Sequence, residues 1–145
     1  MTKSTPDSGR HGDANRRLHW RLNRSALAFE TSVLELLVER DPGNIDYLVA
    51  LGQAYARLRR NQCGLAVDRT LVSREPDEPT FRYNLACSLV LTGDLNGATG
   101  ELLKAIEFGY RDFEHLLADD DLDALRNDNR FGLIRDRIAE VSSPA

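Results

Sequence analysis

The sequence predicts an all-α protein: a short superhelical solenoid of antiparallel helix pairs, with an N-terminal helix and C-terminal capping helices. Three observations carry this. Apolar residues recur every three or four positions from Ser25 to Phe108. No stretch alternates as a strand does. The pattern also repeats: Pro42 and Pro76 are 34 residues apart, Leu51 and Leu85 are 34 apart, and Leu37, Leu71 and Ala105 form a series with the same step. Helix pairs of constant period stack on one another into a solenoid.

The elements follow in order. Residues 1–13 hold no large apolar residue after Met1, so they read as a disordered polar and basic leader. From Ser25 to Arg40, the residues Ala26, Phe29, Val33, Leu36 and Leu37 form one amphipathic stripe, which Asp41-Pro42-Gly43-Asn44 ends. Leu48, Leu51, Tyr55 and Leu58 predict a second helix from Ile45 to Leu58. Leu65, Val67, Leu71 and Val72 predict a third from Gln62 to Arg74, closed by Glu75-Pro76. Phe81, Leu85 and Leu89 predict a fourth from Thr80 to Leu91, broken by Thr92-Gly93-Asp94. Leu95, Ala98, Leu102, Ala105 and Ile106 predict a fifth that stops at Gly109. Phe131, Ile134, Ile138 and Val141 give a last helix its stripe, and residues 142–145 read as a disordered tail.

Composition narrows the function classes. The 145 residues are 41% hydrophobic and 29% charged, ordinary for a soluble protein. No apolar run approaches the roughly 20 residues of a spanning helix, and the N-terminus lacks the apolar core of a secretory signal. The expectation is a cytoplasmic protein without a membrane span. A net charge of −4 argues against nucleic acid as a partner. The charge is uneven: residues 1–24 hold six Lys/Arg against two Asp, and the remainder is acidic. Only Trp20 interleaves these arginines, so the base-stacking surface of a single-strand binder is not evident.

The repeated residues resemble the tetratricopeptide repeat, whose 34-residue pattern runs W-x2-L-G-x2-Y, then A-x3-F, then P. Leu48-x2-Leu51-Gly52-x2-Tyr55 matches with leucine for tryptophan, and Pro76 closes that repeat. Gly64 stands where the small alanine belongs, and Asp68 departs from the usual aromatic or leucine. In the next repeat, Leu85-Ala86-x2-Leu89 and Ala98-x3-Leu102 match, while Arg82 replaces the tryptophan. The stretch from Gly109-Tyr110-Arg111-Asp112 through Asp119–Asp121, Leu122, Leu125-Arg126 and Arg130-Phe131 is similar to the segment that ends many bacterial arrays of this family. The resemblance implies a helical domain over 14–141: a half repeat at 25–42, full repeats at 45–78 and 79–112, and a closing segment at 109–141.

Candidate chemistry is sparse. Asp119, Asp121 and Asp123 have the alternation of an EF-hand loop, but Ala124 falls where glycine is needed and Arg130 where the bidentate glutamate belongs. Capping of a short helix is the better role for an aspartate there. His11, His19 and His115 show no metal-ligand spacing, and Cys63 and Cys87 read as small apolar residues rather than nucleophiles. No nucleophile elbow, phosphate loop or dinucleotide fingerprint occurs. The expectation is no catalytic residue, no cofactor and no metal: not an enzyme.

What remains is surface. By the resemblance, the first helix of each pair lines a concave groove. Val49, Gln53 and Arg57 form that face in the first repeat, and Tyr83, Cys87 and Leu91 form it in the second, with Asn84 beside them. The mixture suits an extended peptide, whose backbone Gln53 and Asn84 can hold while Tyr83 packs on a side chain. The clamp that some relatives use for a C-terminal carboxylate is incomplete: Asn84 matches, but Val49 stands for its lysine and Gln53 for its first asparagine. The expected function is non-catalytic binding of a protein or peptide partner, as an adaptor or scaffold. The alternatives are a small chaperone for a secreted or assembling substrate, and a homo-oligomeric structural subunit.

Overall fold

The computed structural model describes residues 9–144. These form an all-α stack. Helix α1 spans Gly9–Arg40, α2 Ile45–Arg57, α3 Asn61–Arg74, α4 Pro79–Leu91 and α5 Leu95–Glu107. A closing segment follows, with α6 (Phe113–Ala118), a 3-10 turn (Asp120–Leu122), α7 (Asp123–Arg126) and α8 (Phe131–Ser142). Each helix packs on its neighbour in sequence from α1 to α5, and α8 returns to cover α5. No described helix is long and apolar enough to cross a membrane.

The 34-residue step is visible in the elements themselves. α2 and α4 begin 34 residues apart, at Ile45 and Pro79, and end 34 apart, at Arg57 and Leu91. Their exits are built alike. After α2 the N–H of Arg60 donates to the carbonyl of Tyr55 at 2.9 Å, and after α4 the N–H of Asp94 donates to that of Leu89 at 2.9 Å. This six-to-one bond needs a left-handed residue just past the helix. Gly93 supplies it at φ 93°, and Arg59, its counterpart one period earlier, adopts φ 58°. Glycine reaches that region freely, whereas a residue with a Cβ does so at a cost. Leu51 and Leu85 are both buried, and so are Leu71 and Ala105.

Two cores result. Leu48, Leu51, Tyr55, Val67 and Leu71 form the first, against Leu34 and Val38 of α1. The second joins α4, α5 and the closing segment, burying Leu85, Leu102, Ile106, Leu116, Phe131 and Ile134 together. Phe81 packs against both. The first hairpin is close at Gly52: a Cβ there would lie 3.4 Å from Val67 Cγ1, at the near edge of ordinary contact. Arg82 joins α4 to α5 in a polar way. Its guanidinium donates to Glu101 on α5 at 2.9 Å and to the Pro76 carbonyl at 2.8 Å, and it lies over the Phe108 ring.

Several details differ from the sequence reading. Helix α1 begins at Gly9, so residues 9–13 are helical rather than disordered, and so are residues 14–24 ahead of Ser25; residues 1–8 lie outside the described residues. Of the expected tail, Ser142 ends α8, and Ala145 lies outside the described residues. A larger difference concerns which face of α1 is buried. Leu27, Thr31, Leu34 and Val38 turn toward the body, while Phe29, Val33 and Leu36 of the stripe are exposed. The inner set also recurs at four, three and four residues, and Thr31 hides its hydroxyl by donating to the Leu27 carbonyl at 2.7 Å. Glu35, beside it, accepts from the Tyr55 hydroxyl of α2 at 2.7 Å and fixes the rotation of the helix.

The two equivalent turns give a matched pair of predictions. Arg59→Gly is expected to stabilise the chain by about 1 kcal/mol, and Gly93→Ala to destabilise it by about 1 kcal/mol. Urea denaturation followed by circular dichroism measures both.

Candidate functional site

The first helices of the two hairpins, α2 and α4, face each other across α3, and the closing segment walls one end. Between them lies a cavity of about 320 Å³. Val49, Gly52 and Gln53 line it from α2, Gly64 and Asp68 from α3, Tyr83, Asn84, Cys87, Ser88 and Leu91 from α4, and His115, Asp119 and Asp121 from the closing segment.

Six of the seven residues expected in the groove therefore come together: Val49, Gln53, Tyr83, Asn84, Cys87 and Leu91. Arg57 does not join them. It lies in a shallow hollow with Leu27 of α1, Ala56, Arg59 and Asp121. Residues four apart drift by about 40° per step around a helix of 3.6 residues per turn, so two steps from Val49 carry Arg57 off the face. The six differ in availability. Gln53, Asn84 and Leu91 are exposed and Val49 is half-buried, whereas Tyr83 and Cys87 are buried. The closing segment is what covers these two.

Asp119 organises that cover. One carboxylate oxygen accepts the backbone N–H of Asp121 at 3.0 Å, capping the 3-10 turn. The other accepts the Tyr83 hydroxyl at 2.6 Å and lies 3.3 Å from Nε2 of His115. The Tyr83 ring stacks on Tyr110, with centroids 4.5 Å apart and planes 1° from parallel. Tyr83 thus ties α4 to the closing segment by a face and by an edge. Its hydroxyl is pushed above the ordinary phenol range by burial and then by the charges around it, so it stays a donor. Burial, and next the Asp119 carboxylate, push the Cys87 thiol up. A nucleophilic cysteine needs the opposite shift.

Asp68 is the group that sequence reasoning noticed as a departure but did not assign to the cavity. It is 8% exposed, accepts a hydrogen bond from the Ser88 hydroxyl across the α3–α4 contact, and reaches the cavity wall. Burial raises its carboxyl to about 6, with the Ser88 bond pulling slightly the other way. Asp121 is also raised, by burial first and by neighbouring Asp119 next. With Asp119, three carboxyls line the cavity together with Arg60. His115 stands beside Asp119 as a further donor. The wall is mostly apolar with these carboxyls set into it, and Asp121 lies 3.7 Å from the Arg59 guanidinium. Asp119, Asp121 and His115 were legible only as a turn cap and a surface histidine, because nothing local says that this turn folds back over α4.

Among the described residues, no group of three or more His, Cys, Asp or Glu has the geometry to hold a metal ion. Neither a protein-family model nor a curated protein sequence matches the chain.

The Asp68 carboxyl makes stability depend on pH. Its folded value lies near 6, above the 3.8 of a free aspartate, so the folded chain holds this proton more tightly than the unfolded chain. The resulting stabilisation is complete below about pH 4 and is lost as pH rises through about 6. Asp68→Asn is expected to raise stability at pH 7.5 by about 1–3 kcal/mol, an advantage that shrinks at pH 5. Thermal unfolding of both chains at the two pH values checks this.

Proposed function

We propose that this chain is a non-catalytic interaction module of the tetratricopeptide-repeat kind, acting as an adaptor or scaffold that holds an extended segment of a partner protein. The observation that carries the reading is the meeting of Val49, Gln53, Tyr83, Asn84, Cys87 and Leu91 in one cavity between equivalent helices of successive hairpins. The equal bounds of α2 and α4 and the close hairpin at Gly52 support the family assignment.

The chemistry of the cavity narrows the partner. Exposed Gln53 and Asn84 offer amide donors and acceptors to a peptide backbone, and Val49 and Leu91 offer apolar area to its side chains. Buried Asp68 and half-buried Asp119 put carboxyls in the cavity wall, with Asp121 at its edge beside Arg59. A lysine or arginine inserted there would meet carboxylates in a partly dry setting, where charge-assisted bonds are strongest. A partner carboxylate would meet them as like charges. The partner segment is accordingly basic at one position and apolar beside it. Such attraction also speeds encounter and weakens with salt.

Selection of random peptides on the purified chain tests this. Lysine or arginine is expected to be enriched at one position, with an apolar neighbour. The double variant Gln53→Ala/Asn84→Ala is expected to weaken the selected peptide about tenfold or more, equivalent to roughly 1.4 kcal/mol or more. Selection of acidic peptides, or binding indifferent to the double change, would contradict the reading.

A further inference from the structure

One face of α3 runs along the cavity: Asn61, Gly64, Asp68 and Leu71, at spacings of three, four and three residues. Asp68 is the charged group of that face, and it stands between two other helices. Its Oδ2 accepts the Ser88 hydroxyl of α4. Its Oδ1 is near α2, where a Cβ built on Gly52 would lie 3.7 Å from it. Oδ1 has no hydrogen-bond partner among the described residues, yet it is not sealed from solvent, so it opens on the cavity. The other two carboxyls of the wall are already engaged. Asp119 has the Tyr83 hydroxyl at 2.6 Å and His115 Nε2 at 3.3 Å on one oxygen, and the Asp121 N–H at 3.0 Å on the other. Asp121 has the Arg59 guanidinium at 3.7 Å. A cation that enters the cavity therefore finds its open acceptor at Asp68.

A carboxylate that is 8% exposed and holds one hydrogen bond is poorly solvated. Asp68 answers by keeping its proton: burial raises the carboxyl to about 6, and the Ser88 bond acts weakly against this. The charged and titratable groups on the surrounding walls have other partners or stay neutral. Arg60, at the exit of α2, lies 3.8 Å from Glu35. Tyr83 and Cys87 of α4 are pushed up by burial and keep their protons. His115, Asp119 and Asp121 of the closing segment pair with one another, with Tyr83 and with Arg59. An opposite charge placed beside a carboxylate favours its ionised form, so a basic side chain reaching Oδ1 displaces the proton. We infer that the cavity trades a proton for the partner's cation: a lysine or arginine of the partner docks on Asp68 as the Asp68 proton leaves, and mild acidification unloads the partner. This rests on the interaction reading above and gives that site its regulation. Any proton gained by His115 adds positive charge to the same wall and acts in the same direction.

The probe is a lysine- or arginine-containing peptide selected on the full chain at pH 7.5. Calorimetric titration at pH 6, in two buffers of different ionisation enthalpy, is expected to show release of about half a proton per peptide bound, since about half of the Asp68 carboxyls then hold one. Affinity is expected to fall about tenfold between pH 7.5 and pH 5, where roughly one Asp68 in ten is ionised. Asp68→Asn is expected to remove most of both effects and to weaken binding at pH 7.5 by about tenfold or more. The same peptide with norleucine for its lysine, or citrulline for its arginine, is expected to release no proton. A basic peptide that binds without proton release, or a release undiminished by Asp68→Asn, overturns the inference and leaves the interaction reading standing. If selection yields no basic peptide, the interaction reading fails and the inference fails with it.

Discussion

A helical hairpin has two apolar sides and can bury only one of them against its own second helix. That constraint governs the whole chain. The hairpin α2–α3 needs cover on both flanks, which α1 and α4 provide, and the hairpin α4–α5 needs an end, which α8 provides. Phe81 belongs to both cores because it sits where one hairpin is stacked on the next. The same constraint leaves α1 in an unusual position. It covers a flank with one side and, being itself apolar on the other, creates a new flank.

The helices and the period were legible because both are set by local spacing. Leu51 and Leu85, and the exits at Arg59 and Gly93, stand one period apart in sequence and occupy equivalent places in space. That six of the named residues line one cavity agrees with what the resemblance implied, and residues three and four apart on one helix share a side. What local spacing cannot tell is which of two apolar sides on one helix is turned inward. Ala26, Phe29, Val33 and Leu36 made the stronger stripe, yet the Tyr55–Glu35 bond and the Leu27 side won the contact with α2. Nor does it tell which turn folds back onto which helix. Asp119 reads as a cap and is one, but its second oxygen meets Tyr83, 36 residues earlier in the chain.

Departures from the repeat pattern turn out to mark particular tasks. Arg82 reaches Glu101 and a backbone carbonyl with its guanidinium, so the α4–α5 contact is held there by oriented polar bonds rather than by apolar area. Gly64 needs a different account from Gly52. A Cβ at Gly64 would find only ordinary contacts at 3.9 Å, so alanine fits there, beside the cavity that Gly64 lines.

Asp68 is the departure with the greatest consequence. A leucine at this place would bury apolar area without cost, whereas the carboxylate must be dehydrated and has, among the described residues, only the Ser88 hydroxyl as a hydrogen-bond partner. Burying a charge so poorly compensated lowers stability. The loss is confined to one point, and that point is the cavity wall, within a set that also includes Asp119 and Asp121. A cation entering the cavity would give Asp68 the partner it lacks and would hold its proton off. Binding and the titration of Asp68 are thereby linked: the cation lowers the carboxyl toward its ordinary range, and by the same amount protonation below about pH 6 weakens the grip on the cation. A dehydrated carboxylate at the base of a hollow is a reservoir of free energy that a neutral or acidic ligand cannot draw on, so it discriminates among partners as well as attracting one.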